Sequence, residues 1–387
     1  MAIAKMDKET HKIDVFLGYD ANGKRIRHTE TFHGGSKEAK AREAEIKANI
    51  KTGTFVRNNG LTFEEFANKW INEYAEIQLA PKTVARYKDL LKRIIPGIGY
   101  LKLKDVSPLH LITLYNDLRT VTTNKGTTLS EKTIKHYYCV VSSILNAAVN
   151  WELLVSNPND KVPKPKPKKK EVDCYSPEDV QKLIKCLLNE PIKYRALIML
   201  AIDTGMRKGE ITGLSWDNVD LDKQVLRVVN STQYISGKGI IEKGPKNESS
   251  VRTVTFTKVT ADLLRQHRTE TLELRLKLGS QWIESDKVFI TDFGGKMHPD
   301  TPYKIFKKLI KKYILPDISF HALRHTSVSL LINSNVHIQL IAKRVGHSSP
   351  NVTQQIYAHI FEASERQVAD TMNGILDIKA NSHKEVC

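Results

Sequence analysis

Hydrophobic positions recur along the chain with two different periods, and the changes between them divide it. Ile13, Val15 and Leu17 alternate with polar residues, the period of a strand. "DANG" at 20–23 supplies turn residues, and "KRIRHTETF" can return as a second strand. "SKEAKAREAEIKANI" at 36–50 reads as a helix with Ser36 as its N-cap. From 61 to 155 the pattern is helical throughout. "TFEEFANKWINEYAE" starts with Thr62 and has Glu65 three residues later, a capping box. "PKTVARYKDLLKRII" opens on Pro81, which suits a first helical turn. "SEKTIKHYYCVVSSILNAAVNWELL" is a long helix that mixes aliphatic and basic positions.

"VPKPKPKKKEVDC" at 162–174 breaks this rhythm. Pro163, Pro165 and Pro167 stiffen it toward an extended form, and five lysines between 164 and 170 give it affinity for phosphate. Beyond it, "SPEDVQKLIKCLL" is a capped helix, and "YRALIMLAIDTGM" is apolar enough to be buried, with Gly205 as its stop. "RKGEITGLSW" starts a second short helix. "VLRVVN", "GIIEK" and "VRTVTF" are β-like runs separated by turn residues, "KVFIT" is a candidate fourth, and helices return from about 302. The expected class is therefore mostly α with small antiparallel β-sheets, in a multidomain chain. We set the boundaries at 1–57 (small sheet plus helix), 61–158 (helical), 159–174 (basic Pro/Lys linker) and 175–387 (mixed α/β domain with a C-terminal tail).

Composition narrows the partner. The 387 residues carry a formal net charge of +17, which favours a polyanion, above all nucleic acid. No run of about 18 apolar residues calls for a membrane. The N-terminus has no apolar core of a signal peptide. The cysteines Cys139, Cys174, Cys186 and Cys387 form no close pair, so a zinc knuckle and a disulfide scaffold are both disfavoured. A reducing cytoplasm is the expected location. Basic residues that could lie against phosphates are Lys24, Arg25 and Arg27 in the second strand, Lys82 and Arg86 in the Pro81 helix, and Lys164, Lys166 and Lys168 in the linker.

In "HALRHTSVSLL", His321 and Arg324 stand three apart and so share a helix face, while Val328, Leu331 and Ile332 keep the rhythm of a buried stripe. Basic side chains thus enter a helix whose later turns are core, and they need an anion. Arg207 follows the end of a buried helix, with Glu210 at i+3 as its structural partner if it has no catalytic one. Lys246 falls in a hairpin turn, His347 follows a glycine, and Tyr357 lies ten residues further on. Taken singly, each is commonly a solvated or core residue.

Together, in the order Arg, Lys, His-x-x-Arg, His, Tyr, they resemble the tyrosine recombinase family, the phage and conjugative-transposon integrases in particular. "TGMRKGEI", "PKNESSVRTV", "HALRHT" and "VGHSSPNVTQQIYAHI" carry the likeness, which spans about 175 to 370. The resemblance implies a catalytic set of Arg207, Lys246, His321, Arg324, His347 and Tyr357, with Tyr357 as nucleophile. It also implies that 61–158 is a helical core-site-binding domain and 1–57 an arm-site-binding domain. The substrates would be double-stranded DNA attachment sites, bound by a homotetramer. An accessory DNA-bending protein and an excision factor are possible partners, and the C-terminal tail could dock on a neighbouring subunit. Neither cofactor nor metal is expected. The competing readings are a type IB topoisomerase-like enzyme, a non-catalytic DNA-binding regulator, and a zinc site of His321, His325 and His347, which leaves Arg324 without a role.

Overall fold

A computed structural model describes residues 3–7, 9–19, 23–51, 60–123, 126–168, 173–244, 251–347, 349, 351, 354, 372–373 and 376. The chain divides into two compact units, Met1–Lys169 and Lys170–Cys387, at a boundary inside the Pro/Lys segment.

The first unit opens with a three-stranded antiparallel sheet of β1 (Ile3–Asp7), β2 (Thr10–Tyr19) and β3 (Arg25–His33), in that order. The alternation seen in the sequence has its expected effect. Ile13 and Val15 point inward and, with Ile46 of helix α1 (Ser36–Lys51), form a small core. β1 was not legible as a strand. Ser36 is not the N-cap but the first helical residue. The Glu38 carboxylate, reaching back to the Gly35 N–H at 2.9 Å, does that work.

The helical region forms its own core. Helix α2 (Phe63–Trp70) carries the expected capping box: Thr62 accepts from Glu65 N, and Glu65 accepts from Thr62 N at 2.8 Å. It widens into one π-helical turn (Ile71–Ala75), and the short α3 (Glu76–Gln78) follows. Then come α4 (Pro81–Ile98), α5 (Pro108–Thr120) and α6 (Glu131–Asn150), whose apolar faces meet around Phe63, Phe66, Ile94, Leu111 and Ile144.

The linker expected from 159 begins later than that. Asn159 is fully buried: it accepts from Tyr115 Oη at 2.9 Å and donates to Tyr138 O at 3.2 Å. Val162 and Pro165 are buried as well, whereas Lys164, Lys166 and Lys168 are exposed. Val162 therefore continues the helical core, with Pro165 buried beyond it, while the lysines face water.

The second unit contains α7 (Pro177–Leu187), capped by Ser176, then the buried α8 (Ile192–Thr204) and the short α9 (Lys208–Thr212). Gly205 ends α8 in the left-handed region at φ 64°. A Cβ there would lie 2.9 Å from Val345 Cγ1. Strands β4 (Val219–Asp220), β5 (Val225–Val228), β6 (Ser231–Ile235), β7 (Gly239–Lys243) and β8 (Arg252–Thr255) make an antiparallel sheet in the order β4-β5-β8 and a separate β6–β7 hairpin. β4 and β6 were not foreseen. "KVFIT" forms only single bridges, Ser215 with Lys287 and Ile290 with Lys296. Its Val288, Phe289 and Ile290 are all buried, so its apolar run reports core and not a pleat. Helices α10 (Lys258–Leu278), α11 (Thr301–Tyr313), α12 (Ala322–Asn333) and α13 (Ile338–Val345) complete the described part. Among the described residues, no helix is long and apolar enough to cross a membrane.

Asn159→Ala leaves the buried Tyr115 hydroxyl and Tyr138 carbonyl without their partner. It should lower the stability of the first unit by about 1–3 kcal/mol, read from the urea midpoint of residues 1–169 within the full chain. An unchanged midpoint would show that water replaces the amide.

Candidate active site

Four of the six residues singled out in the sequence lie in the described structure, at the ends of helices in the second unit. Arg207 sits between α8 and α9 because Gly205 turns the chain there. Its Nη1 donates to Glu210 Oε1 at 2.8 Å, its backbone N to Glu210 Oε2 at 3.0 Å, and its Nη2 to the Gly346 carbonyl at 3.2 Å. The structural partner named from the sequence is thus real. Yet the Arg207 side chain remains 45% exposed and open to a ligand.

Arg324, in the first turn of α12, is 3% exposed, and its Nη1 donates to the Gly205 carbonyl at 2.7 Å. His321 is the residue before α12, with its ring 5.0 Å from that of His325, edge to face. His347 follows Gly346, the left-handed residue that ends α13, and its N–H donates to Ala342 O. Lys246 and Tyr357 lie outside the described residues.

Fixed positive charge and burial shift the titratable groups around these residues. Burial raises the Glu210 carboxyl, but hydrogen bonds and charge from Arg252, and then Arg207, outweigh that and hold it at about 2. Burial, then Arg324 and Arg207, push His347 down to about 4. His325 is pushed to about 4 by burial, His321 and Arg324. His321 is lowered first by loss of water around its ring and then by Arg324 and Arg207, although part of it reaches solvent. All three imidazoles are therefore depressed below the usual histidine value. Among the described residues, no three His, Cys, Asp or Glu side chains group as metal ligands.

Two supporting arginines escaped the sequence reading. Arg252 of β8 is buried, donating to Glu210 Oε2 at 2.8 Å, Glu210 Oε1 at 3.3 Å and the Arg344 carbonyl at 2.8 Å. Arg344 of α13 donates to the Asp203 carbonyl at 2.8 Å and to its carboxylate at 3.3 Å. "VRTV" and "AKRVG" carry no local signal for either contact, since both partners are remote in sequence.

In the first unit, Lys24, Arg25 and Arg27 are exposed, and Arg27 pairs with Asp14 on the adjacent strand at 2.9 Å. Lys82 and Arg86 are exposed on α4. Arg86 acts together with Lys132 and Lys135 of α6 to depress His136, after burial, so these side chains form one positive patch. The i, i+3, i+4 spacing of Lys132, Lys135 and His136 could have revealed the α6 half of it.

The Phage integrase family profile matches residues 175–364, and the family's N-terminal SAM-like domain matches 62–119. The chain is 30% identical to a tyrosine recombinase XerC-like protein of Caldanaerobacter subterraneus over 96% of this chain and 97% of that protein. It is 25% identical to the ICEBs1 integrase of Bacillus subtilis over 97% and 100%. Its fold is similar to that of the Tn1549 transposon integrase in complex with a circular intermediate DNA (TM-score 0.66, 19% identity, 80% of this chain and 99% of that one). It is also similar to lambda integrase bound as a dimer to a core site (TM-score 0.55, 16% identity, 92% and 94%).

The depressed histidines make stability depend on pH. An unfolded histidine takes up a proton near pH 6.5, and folded His325 and His347 do so only near pH 4. Between these values the unfolded chain binds more protons, so stability should fall as pH drops from about 6.5 to 4. Urea midpoints across that range check it. His347→Gln should flatten the dependence, and an equal slope in both proteins would contradict the assignment.

Two family profiles and near full-length relatives converge: the chain belongs to the tyrosine recombinase family and is a site-specific DNA recombinase of the kind that integrates or excises mobile elements.

Proposed function

We propose that Arg207, Lys246, His321, Arg324, His347 and Tyr357 form the catalytic set, and that the anion they hold is the scissile phosphate of a DNA attachment site. One observation carries this reading: buried Arg324 and exposed Arg207 meet beside two imidazoles, with Arg207 open to solvent. Guanidiniums stay charged and can grip phosphoryl oxygens bidentately as charge builds up during attack. Such fixed charges commonly give the largest catalytic contribution.

Tyr357 Oη attacks the phosphorus, forming a 3′-phosphotyrosine ester as the bond to the 5′-oxygen breaks. His321, kept neutral by its surroundings, accepts the tyrosine proton, and Lys246 gives one to the departing 5′-oxygen. His347 donates a hydrogen bond to the phosphate. The ester keeps the bond energy. A partner strand's 5′-hydroxyl can then displace Tyr357 and reseal the backbone without ATP. Two such exchanges through a Holliday junction, in a tetramer, recombine two sites.

The two parts of the first unit would supply recognition. The helical part and its Arg86–Lys132–Lys135 patch would clasp core-type DNA, together with Lys82 and the exposed lysines 164, 166 and 168. The sheet bearing Lys24, Arg25 and Arg27 would read separate arm-type sites. The protein would act on DNA in the cytoplasm of a bacterial host. A DNA-bending protein and an excision factor would set direction.

Tyr357→Phe should bind attachment DNA normally and form no covalent adduct on a nicked substrate. An adduct in that variant would move the nucleophile elsewhere, with exposed Tyr303 the first candidate.

Lys246 is tested by its leaving group. Lys246→Ala should be severely slow on natural DNA. It should largely recover on a 5′-bridging phosphorothiolate, whose thiolate leaves without a proton. Equal defects on both substrates would remove Lys246 as the acid.

A further inference from the structure

Glu210 lies between two guanidiniums, and only one of them can meet a ligand. It is 7% exposed and bridges Arg207 and Arg252 with both carboxylate oxygens. The Arg207 side chain is 45% exposed, and that of Arg252 is 5% exposed. Each nitrogen of the Arg252 guanidinium donates within the protein, Nε to the Arg344 carbonyl and Nη1 and Nη2 to Glu210.

Charge balance gives this arrangement its meaning. One carboxylate cancels one cation. With Arg207 alone beside it, Glu210 would fix the guanidinium in place and also neutralise it, leaving little attraction for phosphate. With Arg252 present, the trio carries a net positive charge, and its only solvent-facing cation is Arg207. We propose that Arg252 is a positioning residue that neutralises Glu210, so that Glu210 orients Arg207 without cancelling the charge Arg207 presents to the scissile phosphate. The proposal rests on the reading of Arg207 as a phosphate ligand.

The same guanidinium also sets the turn before His347. A Cβ on Gly346 would lie 2.9–3.1 Å from Arg252 atoms, so the turn packs directly on that side chain. The Gly346 carbonyl in turn accepts from Arg207. Arg252 therefore fixes both the charge and the height of the edge on which Arg207 and His347 stand.

The test is single-turnover cleavage by the full chain at saturating protein. The substrate is a nicked duplex spanning the joined ends of the element that encodes it. Two versions are compared: a natural scissile phosphate, and a methylphosphonate in which a methyl group replaces one non-bridging oxygen and removes the charge. Arg252→Met should slow cleavage of the natural linkage roughly tenfold to a hundredfold, the scale of losing one donor to a developing anion. The defect should shrink markedly on the methylphosphonate, where less cationic help is needed. Arg252→Met combined with Glu210→Gln removes both buried charges and keeps an acceptor for Arg207, so it should recover most of the rate. This pair also covers the case in which the single variant does not fold.

A defect of equal size on both substrates, in whichever of these variants folds, would make Arg252 merely structural and overturn the proposal. A loss of DNA affinity matching the loss of rate would make it a DNA contact and also overturn it. The parent reading fails separately: Arg207→Ala cleaving the natural linkage at the wild-type rate would remove Arg207 as a phosphate ligand, whatever Arg252 does.

Discussion

Two helices, α8 and α13, end against each other, and the catalytic unit is arranged around the carbonyl groups they leave unpaired. A helix C-terminus carries partial negative charge and up to four carbonyls without intrahelical donors. Here arginines supply the donors. Arg324 reaches Gly205 O and Arg344 reaches Asp203 O at the end of α8. Arg252 reaches Arg344 O and Arg207 reaches Gly346 O at the end of α13. The left-handed glycines 205 and 346 make this possible. Each stops its helix sharply, and at each a side chain would strike the neighbouring element. Concentrating four guanidiniums would ordinarily cost much desolvation and repulsion. Carbonyl dipoles, Glu210 and Asp203 offset that cost before any ligand arrives.

Burial and this surplus of fixed positive potential together explain the histidines. Burial is the first penalty on charging each of the three imidazoles, and nearby Arg324 adds to it. They stay neutral, which is the form able to take a proton or donate one hydrogen bond. On the proposed reading, the guanidiniums, which cannot lose their proton, would hold the anion, and neutral His321 would take the tyrosine proton.

What was legible in the sequence was whatever depends on near neighbours. The Thr62–Glu65 capping box, the Pro81 start, Ser176 and the Gly205 stop are all decided within four residues, and each sits where the pattern put it. The Arg207–Glu210 pair was legible for the same reason. Ser36 failed because Glu38 offered the better reach to the Gly35 amide. The linker boundary failed because Asn159 is held by Tyr115 and Tyr138, contacts fixed by tertiary packing. Arg252 and Arg344 were invisible because their partners, Glu210 and Asp203, lie 42 and 141 residues away. In "KVFIT" the apolar run was read as a pleat, but both faces of it are core. Burial on two sides erases the alternation that distinguishes a strand from a packed loop.

The first turn of α12 sets Arg324 and His321 at different depths. Arg324 is buried where it meets Gly205 O, and His321, one turn earlier, reaches the solvent edge. A helix start also presents N–H groups and partial positive charge, so this end of α12 adds to the field of the guanidiniums. The negative ends of α8 and α13 are already occupied by arginines. At these three helix ends, two carbonyl ends are thus turned onto the protein's own cations, and the amide end of α12 carries Arg324. A substituted lysine at 324 would keep the charge but lose the planar fork that holds Gly205 O with one nitrogen and, on the proposed reading, would face the phosphate with another. An arginine there ties the end of α8 to the start of α12, and the proposed phosphate contact would use the same fork.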